Sequence, residues 1–294
     1  MKRHLLQGGL ILGLAILTAV PAVAQRPSNS RYGNGARMPL SPTPPKGEPV
    51  APFFEGWYAN EDGTYMLSFG YFNLNTEEII DLPLGELNFI TPAEFDGMQP
   101  THFPSSPRRD RGIFTVTVPS SFADQTPVVW TITANGHTLS VPGKVGYQAL
   151  ELDYLPRAMG SVPPIIKFAE DGAEGQHIRG LWADDQTVAV GDPLSLTVWA
   201  REVSERLDHD QRNVDIPVTV TWFKHQGPAA EVTFEPNAIR LTDGADEATT
   251  AAEFTEPGEY LLRVRAENWR ANDSSGADQC CWTNGYVRVT VTGG

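Results

Sequence analysis

Cys280 and Cys281 are the only cysteines in the chain, and they are neighbours, within the stretch GADQCCWTNGY. Two adjacent thiols support three chemistries: a vicinal disulfide, a reduced pair with at least one buried sulfur, or metal or redox work. Sequential α-carbons lie about 3.8 Å apart, short of the usual disulfide span of about 4.4 to 6.8 Å. A bond between them needs a turn and encloses almost no chain, so its entropic gain nearly vanishes. On a regular strand the two side chains would point to opposite faces. The stretch DQCCWTNG, just before the last apolar run, offers turn residues. Redox work needs an activated thiolate, and no Lys, Arg or His lies within six residues on either side. Adjacent thiolates suit copper or zinc, yet no second Cys pair or His ladder completes a site. The reading carried forward is a disulfide that locks a loop.

Other residues invite chemistry less specifically. His209 between Asp208 and Asp210 has the types for general-base or metal work, but a polar surface loop is the better account of it. The remaining histidines of the mature chain, His102, His137, His177 and His225, show no metal-binding spacing. In HFPSSPRRDRG, His102, Ser105 and Ser106 precede Arg108, Arg109 and Arg111. No GxSxG elbow supports a hydrolase there, so the arginines are expected to pair with the chain's own carboxylates or to dock a partner. No HExxH, CxxC or phosphate-cradling loop occurs. No catalytic residue is assigned. Trp269 and Trp282 flank an acidic segment; rings exposed there would stack on sugars or seal a protein interface, whereas tryptophans more often serve as partly buried core anchors, as expected of Trp130 and Trp222.

The elements that must position these residues begin with a leader. Lys2 and Arg3, the apolar run Leu5 to Val20 and AVA before Gln25 read as a signal peptide cleaved between Ala24 and Gln25. No Cys follows the run for lipid attachment, and no later segment has the roughly 20 apolar residues of a spanning helix. The expected location is periplasmic or secreted. Loss of Lys2 and Arg3 leaves 36 acidic side chains against 20 basic, a net charge of −16 against −14 for the full chain. That balance repels nucleic acid and anionic lipid and favours solubility or cation binding.

Residues 25–50 carry six prolines and few bulky apolar groups, the composition of a tether. Short β-rich runs follow, separated by turn residues: TYMLSFGYF, ELNFI, IFTVTV, VVWTITANGHTLSV. Asn135-Gly136 supplies the positive backbone angles of a two-residue hairpin turn, with Val128, Trp130 and Ile132 on one face. Near residue 175 the acidic EDGAEGQHIRG marks a boundary. The strand pattern resumes with Leu194, Leu196, Val198 and Ala200 on one face, then Val218, Val220 and Trp222. The expected fold is all-β: two tandem β-sandwich domains, 51–175 and 176–294.

Trp222 on the third strand of the second half and PGEYLLRV opening a later one resemble the core tryptophan and tyrosine corner of immunoglobulin-like sandwiches, including the PKD type. The resemblance covers roughly residues 186–292. It implies that the Tyr260 hydroxyl reaches backbone, that Leu262 takes the place of the second core cysteine, and that Leu196 is its counterpart. It also implies that the loops after the second and sixth strands share one end. Both are acidic: Glu205, Asp208, Asp210 and Asp215 in one, Glu267, Asp273 and Asp278 in the other. Such carboxylates suit calcium, which takes six to eight oxygens, and Asp208, Asp210, Asp273 and Asp278 are the candidate ligands. Residues 50–170 resemble uncharacterised exported bacterial proteins, which implies no activity.

The expectation is an exported, non-catalytic binding or structural module of the cell envelope, with an unknown protein or glycan partner. The alternative is a metal-binding or redox protein using the Cys280–Cys281 loop and neighbouring carboxylates.

Overall fold

The computed structural model describes residues 43–106, 109–122, 127–157, 160–205, 217–268 and 280–294. Residues Thr43–Gly294 form one compact unit. Its first half contains β1 (Val50–Ala59), β2 (Tyr65–Asn73), β3 (Ile80–Asp81), β4 (Asn88–Thr91), β5 (His102–Phe103), β6 (Asp110–Val118), β7 (Val128–Ala134), β8 (His137–Gly143) and β9 (Glu151–Leu152). One sheet has the order β6-β2-β1-β9 and another β4-β7-β8, with β3 paired to β5. Asn135 and Gly136 take φ of 49° and 77° between β7 and β8, so the predicted two-residue turn sets that register, with Ala134 opposite His137. Val128, Trp130 and Ile132 then fall inward against Leu67, Phe69 and Phe114 of the facing sheet. Phe114 meets Trp130 edge-on at 5.0 Å, a favoured aromatic geometry.

The second half contains β10 (Ile165–Lys167), β11 (Leu181–Trp182), β12 (Gln186–Ala189), β13 (Leu194–Arg201), β14 (Thr219–Gln226), β15 (Val232–Glu235), β16 (Ala238–Arg240), β17 (Glu247–Phe254), β18 (Gly258–Glu267) and β19 (Trp282–Thr292). The sheet β10-β13-β17-β15 faces a sheet in which β11 and β12 pair with β19, followed by β18, β14 and β16. This is the immunoglobulin-like arrangement. Leu196, Trp222 and Leu262 share its core, apolar where related sandwiches place a disulfide. The Tyr260 hydroxyl donates to the Glu256 carbonyl at 2.8 Å, completing the tyrosine corner.

Alternation predicts one buried and one solvated face per strand, but β2 and the start of β19 are buried on both. In β2, Met66 and Ser68 are as enclosed as Leu67 and Phe69; in β19, Trp282 to Val287 are all buried. The reason is a third packing surface. Tyr58, Met66 and Leu152 of the first half cluster with Ile178 and Trp282, so the β6-β2-β1-β9 sheet is covered from both sides. A strand covered twice reads as a continuous apolar run, which TYMLSFGYF does.

Candidate functional site

β18 and β19 pair from Gly258↔Val291 to Glu267↔Trp282. Just beyond that ladder the Asn268 N–H donates to the Cys281 carbonyl at 3.2 Å. Cys280 and Cys281 are joined as a vicinal disulfide. Their residues are only 5% and 2% exposed, with Cys280 Sγ 3.8 Å from the Ser161 carbonyl. The Asn268 amide donates to the Val162 carbonyl at 2.7 Å, Glu202 Oε1 at 2.9 Å and Ser204 Oγ at 3.1 Å. Thr283 Oγ1 donates to the Pro164 carbonyl at 2.5 Å and accepts the His177 N–H at 3.0 Å. The roots of the loops after β13 and β18 thus meet at one end, as the resemblance implies. Thiolate chemistry and soft-metal capture need sulfur that a reagent or ion can reach, and this burial denies it.

A second set of polar groups joins the two sandwiches. Lys224 Nζ lies 3.1 Å from Asp81 Oδ1 and donates to the carbonyls of Pro228 and Ala230 at 2.8 and 2.9 Å, which uses all three of its protons. His102 Nδ1 is 2.8 Å from the same carboxylate oxygen. Burial works against the Asp81 charge, but the hydrogen bonds and charges of His102 and Lys224 outweigh it and hold its pKa low. Arg263 and Arg265 each reach Asp110 at 3.4 Å and lie over the Phe223 ring at 4.5 and 5.1 Å. Glu55, paired with Arg109 at 3.0 Å, has its pKa raised by burial despite the nearby arginines. Asn284 Nδ2 donates to the Gly112 carbonyl at 2.8 Å and the Tyr286 hydroxyl to Ile113 at 2.9 Å. His225 Nε2 bonds the Met98 carbonyl at 2.8 Å, and burial, helped by Arg263, lowers its pKa to about 3. Buried charges whose counter-charges sit on the opposite sandwich make the junction costly to open.

A groove of about 430 Å³ opens along one side of the second sandwich, between β13 and the β11–β12 segment. Phe168, Leu181 and Trp182 contribute accessible apolar surface over the buried Leu196, Trp222 and Val287, with Asp184, Gln186, Ser195 and Thr197 as polar lining. Trp182, 42% exposed, stands at this groove, stacked on Tyr286 at 5.1 Å and beneath the Arg288 guanidinium at 4.7 Å.

Asp208, Asp210, Asp273, Asp278 and Trp269 lie outside the described residues, as do Ala24, Gln25 and Arg108. Trp282 is 1% exposed and packs inside the chain, between the two halves. Arg109 pairs with the chain's own carboxylate, one of the two roles expected of its cluster. Lys224, Arg263 and Asn284 do not stand out in the sequence, and His225 stands there only as one of four scattered histidines. Their one signal is polar side chains set within otherwise apolar strands.

No family model matches the chain, and no curated protein matches it. Among solved structures, domains 4 and 5 of the S-layer protein SbsC are 14% identical at a TM-score of 0.25, over 56% of this chain and 66% of that one, just under two thirds. The D0-D1 domain of intimin is 14% identical at a TM-score of 0.24, over 82% and 97%. A chimeric titin Z1Z2 is 12% identical at 0.22, over 83% and 98%. Scores at this level carry no argument about this chain; its all-β sandwich architecture stands on its own strand pairing.

Proposed function

We propose that the chain is an exported, non-catalytic module of the cell envelope that holds binding surfaces on an inflexible two-sandwich body. The observation that supports this most is the junction, where Lys224 and Arg263 find their counter-charges on the other sandwich and Arg265 is shared between Asp110 there and Glu267 on its own strand. Such a junction suits a spacer or adhesion-type support better than a hinged enzyme. A leader ending at Ala24, a buried disulfide and an acidic surface fit life outside the cytoplasm. Calcium between the acidic loops, at Asp208, Asp210, Asp273 and Asp278, belongs to this reading as a structural ion.

The test is fractionation of the native host followed by intact mass measurement. The expected species lies outside the cytoplasm, begins at Gln25 and has no free thiol. A cytoplasmic chain that keeps its first residues overturns the reading. Melting with and without a chelator addresses the ion; an unchanged midpoint removes it.

A further inference from the structure

β13 is paired with β17 from Leu194 to Trp199, but with β10 only from Trp199 to Arg201. The Ala200 N–H donates to Asp246, on the β17 side. Backbone groups alternate sides along a strand, so Ser195 and Thr197 turn their N–H and C=O to the other edge, in line with Trp199 and Arg201. Among the described residues nothing pairs with them there. The β10 row ends at Lys167, and the chain next pairs with the opposite sheet, through β11 and β12.

The space beside Ser195 and Thr197 is the groove already described. Trp222 on it is 1% exposed, and its indole N–H has no acceptor among the described residues. Tyr286 and Arg288 both pack on the Trp182 ring. Around the groove Glu170, Asp171, Asp184 and Asp185 are exposed, and none is in an ion pair among the described residues. An unpaired sheet edge over an apolar floor with an acidic margin is complementary to one kind of ligand: an extended peptide with alternate apolar side chains and basic ends.

We propose that this groove accepts a β-strand from another polypeptide, which extends the β10 row by pairing with Ser195 and Thr197. About five residues, roughly 17 Å of strand, cover Leu194 to Val198. Apolar side chains enter against Phe168 and Leu181, above the buried Leu196 and Trp222, and Lys or Arg at the flanks meets the acidic margin. The inference rests on the binding-module reading and names the class of partner.

Peptides of about ten residues, alternating Val and Thr with lysine, glutamate or uncharged ends, are titrated into the full chain while amide exchange at Ser195 and Thr197 is followed. Lysine-ended peptide should bind saturably and slow both amides, with glutamate-ended peptide about tenfold weaker. Thr197→Pro removes one donor at an edge where proline is tolerated, and should abolish binding with the melting midpoint kept. Asp184→Lys alters only an exposed charge and should narrow the preference for lysine-ended over glutamate-ended peptide while leaving the uncharged peptide's binding unchanged, so it decides the matter if the proline variant does not fold. Exported, folded chain whose two amides no peptide slows overturns this inference and leaves the envelope reading intact; cytoplasmic chain overturns that reading instead. A chain that dimerises by itself, with both amides protected until Thr197→Pro frees them, puts a second copy in the groove and overturns the foreign strand.

Discussion

Lys224 on β14 and Asp81 on β3 stand 3.1 Å apart at the junction of the two sandwiches, with the lysine side chain 3% exposed. Removing the carboxylate leaves an ammonium with two carbonyls and no counter-charge. Asp81→Asn should therefore lower stability by about 3 kcal/mol in urea unfolding. Asp81→Leu combined with Lys224→Met, which removes both charges, should recover most of that loss.

His225 gives the chain a pH dependence of known sign. Its folded pKa, about 3, lies below the ordinary value of 6.5, because burial, then Arg263, disfavours the charged ring. His177, lowered to about 4 by burial and then Arg157, acts in the same direction. The unfolded chain takes up protons first, so their contribution is full above about pH 6.5 and is lost as pH falls toward the folded values. His225→Gln keeps an N–H for the Met98 carbonyl. Its unfolding free energy should fall less than the parent's between about pH 7 and 4.

The Tyr260 hydroxyl bond to Glu256 is local, neutral and 2.8 Å long. Tyr260→Phe keeps the ring against Phe254 and loses that bond alone. Thermal or urea unfolding should show a loss of about 1 kcal/mol. A loss much above 2 kcal/mol would mean that the corner holds more than its own bond.

Cys280 and Cys281 are shielded by Ser161, Asn268 and the packing around Trp282. Reductant and alkylating agent together should leave the native chain unlabelled and label both sulfurs in urea. Rapid labelling without denaturant would show that the disulfide end opens by itself.

The two cores were legible because their strands keep a two-residue period. Val218, Val220 and Trp222 face inward as the pattern requires, and Asn135-Gly136 made the hairpin register readable. The junction was not legible, because burial there obeys no local period. Asn284 and Arg263 are polar residues whose partners are supplied by segments distant in sequence. Trp282 illustrates the limit: beside an acidic loop it reads as an exposed ring, yet packing with Tyr58, Met66 and Ile178 encloses it. The groove beside β13 escaped for a related reason. Strand-forming sequence does not say which edge a neighbouring segment will abandon.

β19 belongs to two structures at once: its first residues, Trp282 to Val287, are enclosed at the junction, and its remainder lies between β12 and β18 in the second sandwich. A pull along this strand would load both flanking ladders in shear, all their bonds together, and would pass through Asn284 and Tyr286 directly into β6. Tension would reach the first sandwich with no compliant joint on the way, as in a bracket carrying a hanging weight.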